Sequence, residues 1–124
     1  MSGTNSKEWI EARRTYTTAV GEHDDAFNQL CDCERIYLRL RSFHTDEIAM
    51  RLSNFGTASV IEAPLLNRRI MMANHVLATR PPSLAALFDK ICVIMAEFVD
   101  ETGHWQTIRD DLLTLNPELN STPL

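Results

Sequence analysis

Apolar and polar residues along the first third of the chain repeat with a period of seven. Trp9, Tyr16, His23, Leu30 and Tyr37 share one heptad position, and Ala12, Ala19, Ala26, Cys33 and Leu40 fall three residues later in each heptad. Val20 and Phe27 widen the stripe by one residue. A 3-4 spacing sustained over five heptads keeps one side of a helix against a neighbour. The pattern predicts a helix over residues 7–42, roughly 50 Å long at 1.5 Å per residue. Alanines at the second seam position let another helix approach closely, which favours an antiparallel helical pair, within one chain or across a dimer, over a parallel zipper. Gly21 interrupts the run at a cost of about 1 kcal/mol relative to alanine, so a kink is conceivable there.

Beyond Ser42 the pattern is shorter in range. Thr45 reads as an N-cap, with Asp46 and Glu47 in the first turn, where the helix dipole favours acids. A short helix is expected over 46–54, carrying Ile48 and Leu52 and stopped by Gly56. Residues 54–63 read as a loop; Ser59 and Glu62 have capping-box spacing, although Pro64 fits better as the first residue of a helix over 64–79. Arg80-Pro81-Pro82 ends that helix. Ser83 caps the most apolar segment, 84–101, where Leu84, Leu87, Phe88, Ile91, Ile94, Met95, Phe98 and Val99 cover more than half the circumference and predict a central helix. Gly103 is expected to close it in a left-handed conformation. A last helix over 104–115 shows Trp105, Ile108, Leu112 and Leu115 on one face, and 116–124 reads as a flexible tail. The expectation is therefore a single all-α domain, 1–124, in which a long N-terminal helix forms a hairpin or bundle with three to four shorter ones.

Composition changes this picture little. A hydrophobic share of 44% and a charged share of 23% suit a globular chain with its own core. No apolar run reaches the roughly 18 residues of a spanning helix. The N-terminal residues show neither the basic region nor the apolar core of a signal peptide, and three cysteines do not form a disulfide framework, so a cytoplasmic protein away from membranes is expected. Charge is more informative. The net charge of −5 conceals seven arginines in residues 35–80 against only Asp46, Glu47 and Glu62, flanked by acidic segments on both sides. Acidic outer helices neutralising a basic middle one is the plain explanation; an arginine face for an anionic partner is the sharper one.

Candidate chemistry is sparse. Glu101-x-x-His104, with Glu97 one turn earlier, has the carboxylate–imidazole spacing of di-iron bundles, but such a site needs a second copy of the motif and two further carboxylates. Cys31 and Cys33 lie two residues apart on a helix, so their thiols diverge and cannot hold one ion; Cys33 belongs to the seam, and Cys92 reads as packing. Glu22-His23-Asp24-Asp25 fans round the helix as a solvated face, with His23 as a hydrogen-bonded core residue or a register- or pH-sensing one. No nucleophile elbow or phosphate loop is present in the sequence. Neither a cofactor nor an enzymatic activity is expected.

Thr45-Asp-Glu-Ile-Ala-Met-Arg-Leu resembles the first helix of helix-turn-helix regulators, with Ala49 as the small residue against which the second helix packs. Ser53 and Ser59 stand where that family has a glycine and a branched apolar residue, and Pro64 falls inside the segment that would be the recognition helix. The resemblance implies a small DNA-associated regulator using 45–69, with Arg51, Arg68 and Arg69 at phosphates. A second resemblance spans about half the chain. Trp9 and Tyr16 on the first helix, Pro82-Ser-Leu-Ala-Ala-Leu-Phe-Asp-Lys90, and Trp105 with Asp111-Leu-Leu and Leu115 make the chain similar to short all-helical bacterial proteins found in alphaproteobacterial and prophage genomes. It implies a helical fold and an accessory or mobile-element role, with no activity to carry over. The leading expectation is a non-enzymatic interaction or adaptor protein binding a protein partner, with Trp9, Tyr16 and Tyr37 as anchors. The seam, together with the apolar excess at Ile70–Leu77, also leads to the expectation of a homodimer; a DNA-associated regulator is the second reading, and a metal-dependent enzyme at Glu97, Glu101 and His104 the third.

Overall fold

A computed structural model describes residues 2–98 and 103–117, and every element among them is helical: α1 (Ser2–Leu40), α2 (Asp46–Ser53), α3 (Phe55–Ala78), α4 (Leu84–Glu97) and α5 (His104–Leu115). The long N-terminal helix and the shorter helices that follow are those the hydrophobic spacing predicts. The chain divides into two compact units. One comprises Met1–Tyr16 with Ile70–Leu124, and the other Thr17–Arg69, so α1 and α3 each contribute to both.

The first unit builds its core from Trp9, Ala12 and Tyr16 of α1, Ala73, Val76 and Leu77 of α3, and Ala86, Leu87, Val93 and Ile94 of α4. Ser83 caps α4 as its residue type predicts, its hydroxyl accepting from the backbone N–H of Ala86 at 3.1 Å. At the centre lies a buried ion pair. Lys90, 1% exposed, donates from Nζ to Asp111 Oδ2 at 2.6 Å and to the carbonyl of Thr79 at 3.0 Å. These bonds tie α4 to α5 and to the C-terminal end of α3. Arg13 forks onto Asp89, with Nε to Oδ2 at 2.5 Å and Nη2 to Oδ1 at 3.1 Å, and stacks over the Tyr16 ring. Tyr16 in turn donates to Glu97 at 2.6 Å.

In the second unit α1 and α3 run antiparallel: Asp24 meets Arg69, His23 meets Glu62, and Cys33 lies towards Asn54 and Ala58. Ala19, His23, Cys33, Tyr37, Ala49, Ser53 and Ala58 are buried. Tyr37 packs its ring on Phe55 at 5.3 Å between centroids and donates its hydroxyl to the carboxylate of Asp46. That bond holds the phenol above its ordinary value near 10 by favouring the protonated donor. Thr45 caps α2, accepting from Ile48 N at 3.4 Å.

The seam is therefore buried within one chain. Trp9, Ala12, Tyr16, Ala19, His23, Cys33 and Tyr37 are each at most 9% exposed, and Ala26, Leu30 and Leu40 are half-buried. Several boundaries differ from the sequence expectation. The segment read as a loop, 54–63, is helix from Phe55 onward. The chain needs only Asn54, at φ 60°, to turn from α2 into α3; Ser53 supports that turn by accepting from Phe55 N at 3.2 Å. Gly56 is accordingly a helical residue rather than a stop, and Glu62 serves His23 rather than a capping box. Pro64 stands inside α3 instead of starting it. It deprives the Val60 carbonyl of its helical donor, on a side of α3 where Val60 is 74% exposed and Pro64 is exposed too. α4 ends at Glu97 instead of 101, and Gly103 lies in the right-handed region at φ −60°, as N-cap of α5 and not as a left-handed stop. α1 passes through Gly21 as unbroken helix. The expected tail lies outside the described residues beyond Pro117.

Candidate interaction surfaces

The antiparallel pair of the second unit leaves a groove of about 580 Å³, a volume in the range of ligand pockets. α1 supplies Glu22, Asp25, Ala26, Gln29 and Cys33, which its periodicity places along one side. Asn54 and α3 supply Thr57, Ala58, Ile61 and Leu65 from the other. Ala26 and Ala58 are the reason the groove exists: large side chains at both would fill it. Its floor is apolar, with Cys33 buried beneath and Ile61 still 54% exposed, while Glu22 and Asp25 put two carboxylates on its rim.

A polar network holds the α1–α3 contact beside it. His23, 7% exposed, lies 2.6 Å through Nε2 from Glu62 Oε2, and its Nδ1 lies 3.3 Å from Arg69 Nη1. A guanidinium has only donors, so Nδ1 accepts and the ring proton sits on Nε2, donated to the carboxylate. Arg69 also reaches Asp24 at 3.1 Å. His23 is thus a core histidine bonded through both ring nitrogens, one of the two alternatives read from the sequence.

The other residues singled out in the sequence are scattered. Trp9, Tyr16 and Tyr37, expected as partner anchors, are each less than a tenth exposed and pack inside the chain, so they offer no free docking surface. Arg51 is exposed, but Arg69 is committed to Asp24 and His23, and Arg68 lies 3.9 Å from Glu22. Between α2 and α3 the turn is a single residue, shorter than the three or four of a helix-turn-helix. Ala49 is fully buried, as a close helix contact requires. Of the metal candidates, Glu97 accepts from Tyr16, the His104 ring packs on Phe98 at 4.8 Å between centroids, and Glu101 lies outside the described residues. Among the described residues no three His, Cys, Asp or Glu side chains gather where they could hold a metal ion. None of the helices described is long and apolar enough to cross a membrane.

Two features differ from the sequence reading in a way that matters for function. α4 is not enclosed on all sides: Leu84, Phe88 and Met95 are 58%, 71% and 60% exposed. Cys92, expected in the packing, is exposed on the same helix. The signal was present in the excess of apolar residues round α4, which exceeds what one core-facing stripe requires. Set against family models, curated proteins and solved structures, the chain matches none.

Proposed function

We propose that the protein is a non-enzymatic helical interaction module whose second unit receives an amphipathic helix from a protein partner. The observation that supports this reading is the groove between α1 and α3. Its apolar floor of Ala26, Ala58, Ile61 and Leu65 suits the apolar stripe of a helix, and Glu22 and Asp25 suit lysines or arginines beside that stripe. Charge at the rim selects the partner and speeds its arrival; burial of Ile61 and Leu65 supplies the affinity. A regulator bound to DNA would need Arg69 free for phosphates, and Arg69 turns to Asp24 and His23 of α1 instead. A helical-bundle metal enzyme would need Glu97 and His104 on a common ion, and among the described residues no three His, Cys, Asp or Glu side chains gather to hold one.

Two fluorescent model helices of equal length test the reading, one built from leucine and lysine and the other from leucine and glutamate. Anisotropy should show the lysine peptide binding and the glutamate peptide not binding. Ile61→Asp should weaken the lysine peptide by tenfold or more, about 1.4 kcal/mol. Equal binding of both peptides, or a variant that binds as well as the parent chain, would refute it.

A further inference from the structure

We propose that α4 is the seam of a homodimer, in which the water-facing side of Leu84–Glu97 lies antiparallel against the same side of a second copy. Leu84, Phe88, Ile91 and Met95 follow one another at intervals of four, three and four, the spacing that keeps a single line of knobs on one side of a helix. Three of the four are more than half exposed and Ile91 is half-buried, so this line is distinct from the buried line of Ala86, Leu87, Val93 and Ile94. Ala85 and Cys92 flank it, both exposed and both small enough for a second helix to approach closely.

Charge identifies the occupant. α4 carries three charged residues, and each is engaged inside its own unit: Asp89 by Arg13, Lys90 by Asp111 and Glu97 by Tyr16. The exposed side consequently has nothing to offer an acidic or a basic partner. There two copies of a chain with net charge −5 can meet without setting carboxylate against carboxylate. Area agrees. At the observed exposures Leu84, Phe88 and Met95 leave on the order of 100–150 Å² each in water, so with Ile91 and their small neighbours the line offers roughly 500 Å². Two copies would bury about 1,000 Å², the lower bound for a specific interface, which implies a dimer that dissociates on dilution. Antiparallel pairing about a two-fold axis near Ile91 and Cys92 sets Phe88 of each copy opposite Met95 of the other, a favourable sulfur–ring contact made twice.

This inference rests on the first unit alone and is independent of the groove. Sedimentation of the full chain tests it. At high micromolar concentration the particle should have twice the 14.1 kDa of one chain, falling towards 14.1 kDa on dilution. Phe88→Glu and Met95→Glu should each sediment as 14.1 kDa particles with unchanged helical circular dichroism, since both side chains are exposed. A short bis-maleimide should join two wild-type copies through Cys92. A wild-type chain that stays at 14.1 kDa, a dimer that survives both substitutions, or copies joined only through Cys31 would overturn the proposal.

Discussion

Replacing Asp111 with leucine should be among the most damaging single changes in this chain. Lys90 is 1% exposed and its ammonium has two partners, the Asp111 carboxylate at 2.6 Å and the Thr79 carbonyl at 3.0 Å. Removing the carboxylate leaves a positive charge in the core with one neutral acceptor. Breaking a buried pair in this manner costs about 3–5 kcal/mol, against a total stability of about 5–15 kcal/mol for an ordinary domain. Lys90→Met should cost a similar amount, because it strands a carboxylate instead. The double variant Lys90→Met/Asp111→Leu is the decisive comparison. Independent effects would sum to about 6–10 kcal/mol, whereas the structure predicts only about 1–3 kcal/mol, the desolvation of the orphaned Thr79 carbonyl. Urea titration followed by circular dichroism gives all four corners of the cycle. Additive losses, or a single variant that loses less than about 1 kcal/mol, would show that this pair is not the desolvated contact described here.

Two further substitutions probe the second unit and α1. Tyr37→Phe removes the phenol held above its ordinary value by Asp46; a raised value means that the stabilising bond is complete below pH 10 and is lost as the pH rises through the folded-state value. Melting curves of the parent chain should therefore fall more steeply above pH 10 than those of Tyr37→Phe, and parallel curves would exclude the coupling. Gly21→Ala should stabilise the protein by about 0.5–1 kcal/mol, because the added methyl group meets nothing within 4 Å and the site is interior helix; a loss in the same urea titration would contradict the open surroundings.

Much of the fold was legible because helical spacing and caps are local. Thr45 and Ser83 cap the helices their residue types predict, and the seam is buried from Trp9 to His23 and again at Cys33 and Tyr37, with Ala26 and Leu30 half-buried and Phe27 48% exposed. Misreadings arose where a residue known as a breaker sits on the wet side of a helix. Gly56 and Pro64 both belong to α3, each on an exposed side of it, while the turn is made by Asn54. The groove was legible only in pieces. Ala26 and Cys33 were placed in the seam and Glu22 and Asp25 on a solvated face, but Ile61 lay in the segment read as a loop. Pairs such as His23 with Glu62 and Lys90 with Asp111 join residues 39 and 21 positions apart, and no local pattern announces which acid a buried base will meet.

The joint at Asn54 leaves the chain no slack. Because a helix turns about 100° per residue, a single inserted amino acid there would swing α3 a quarter-turn or more about its own axis. Glu62 would leave His23, and Phe55 would leave Tyr37, in one step. Length is therefore as tightly constrained as chemistry between Thr45 and Glu62, and natural variants of this protein should accept extra residues at Arg41–His44 well before they accept one here.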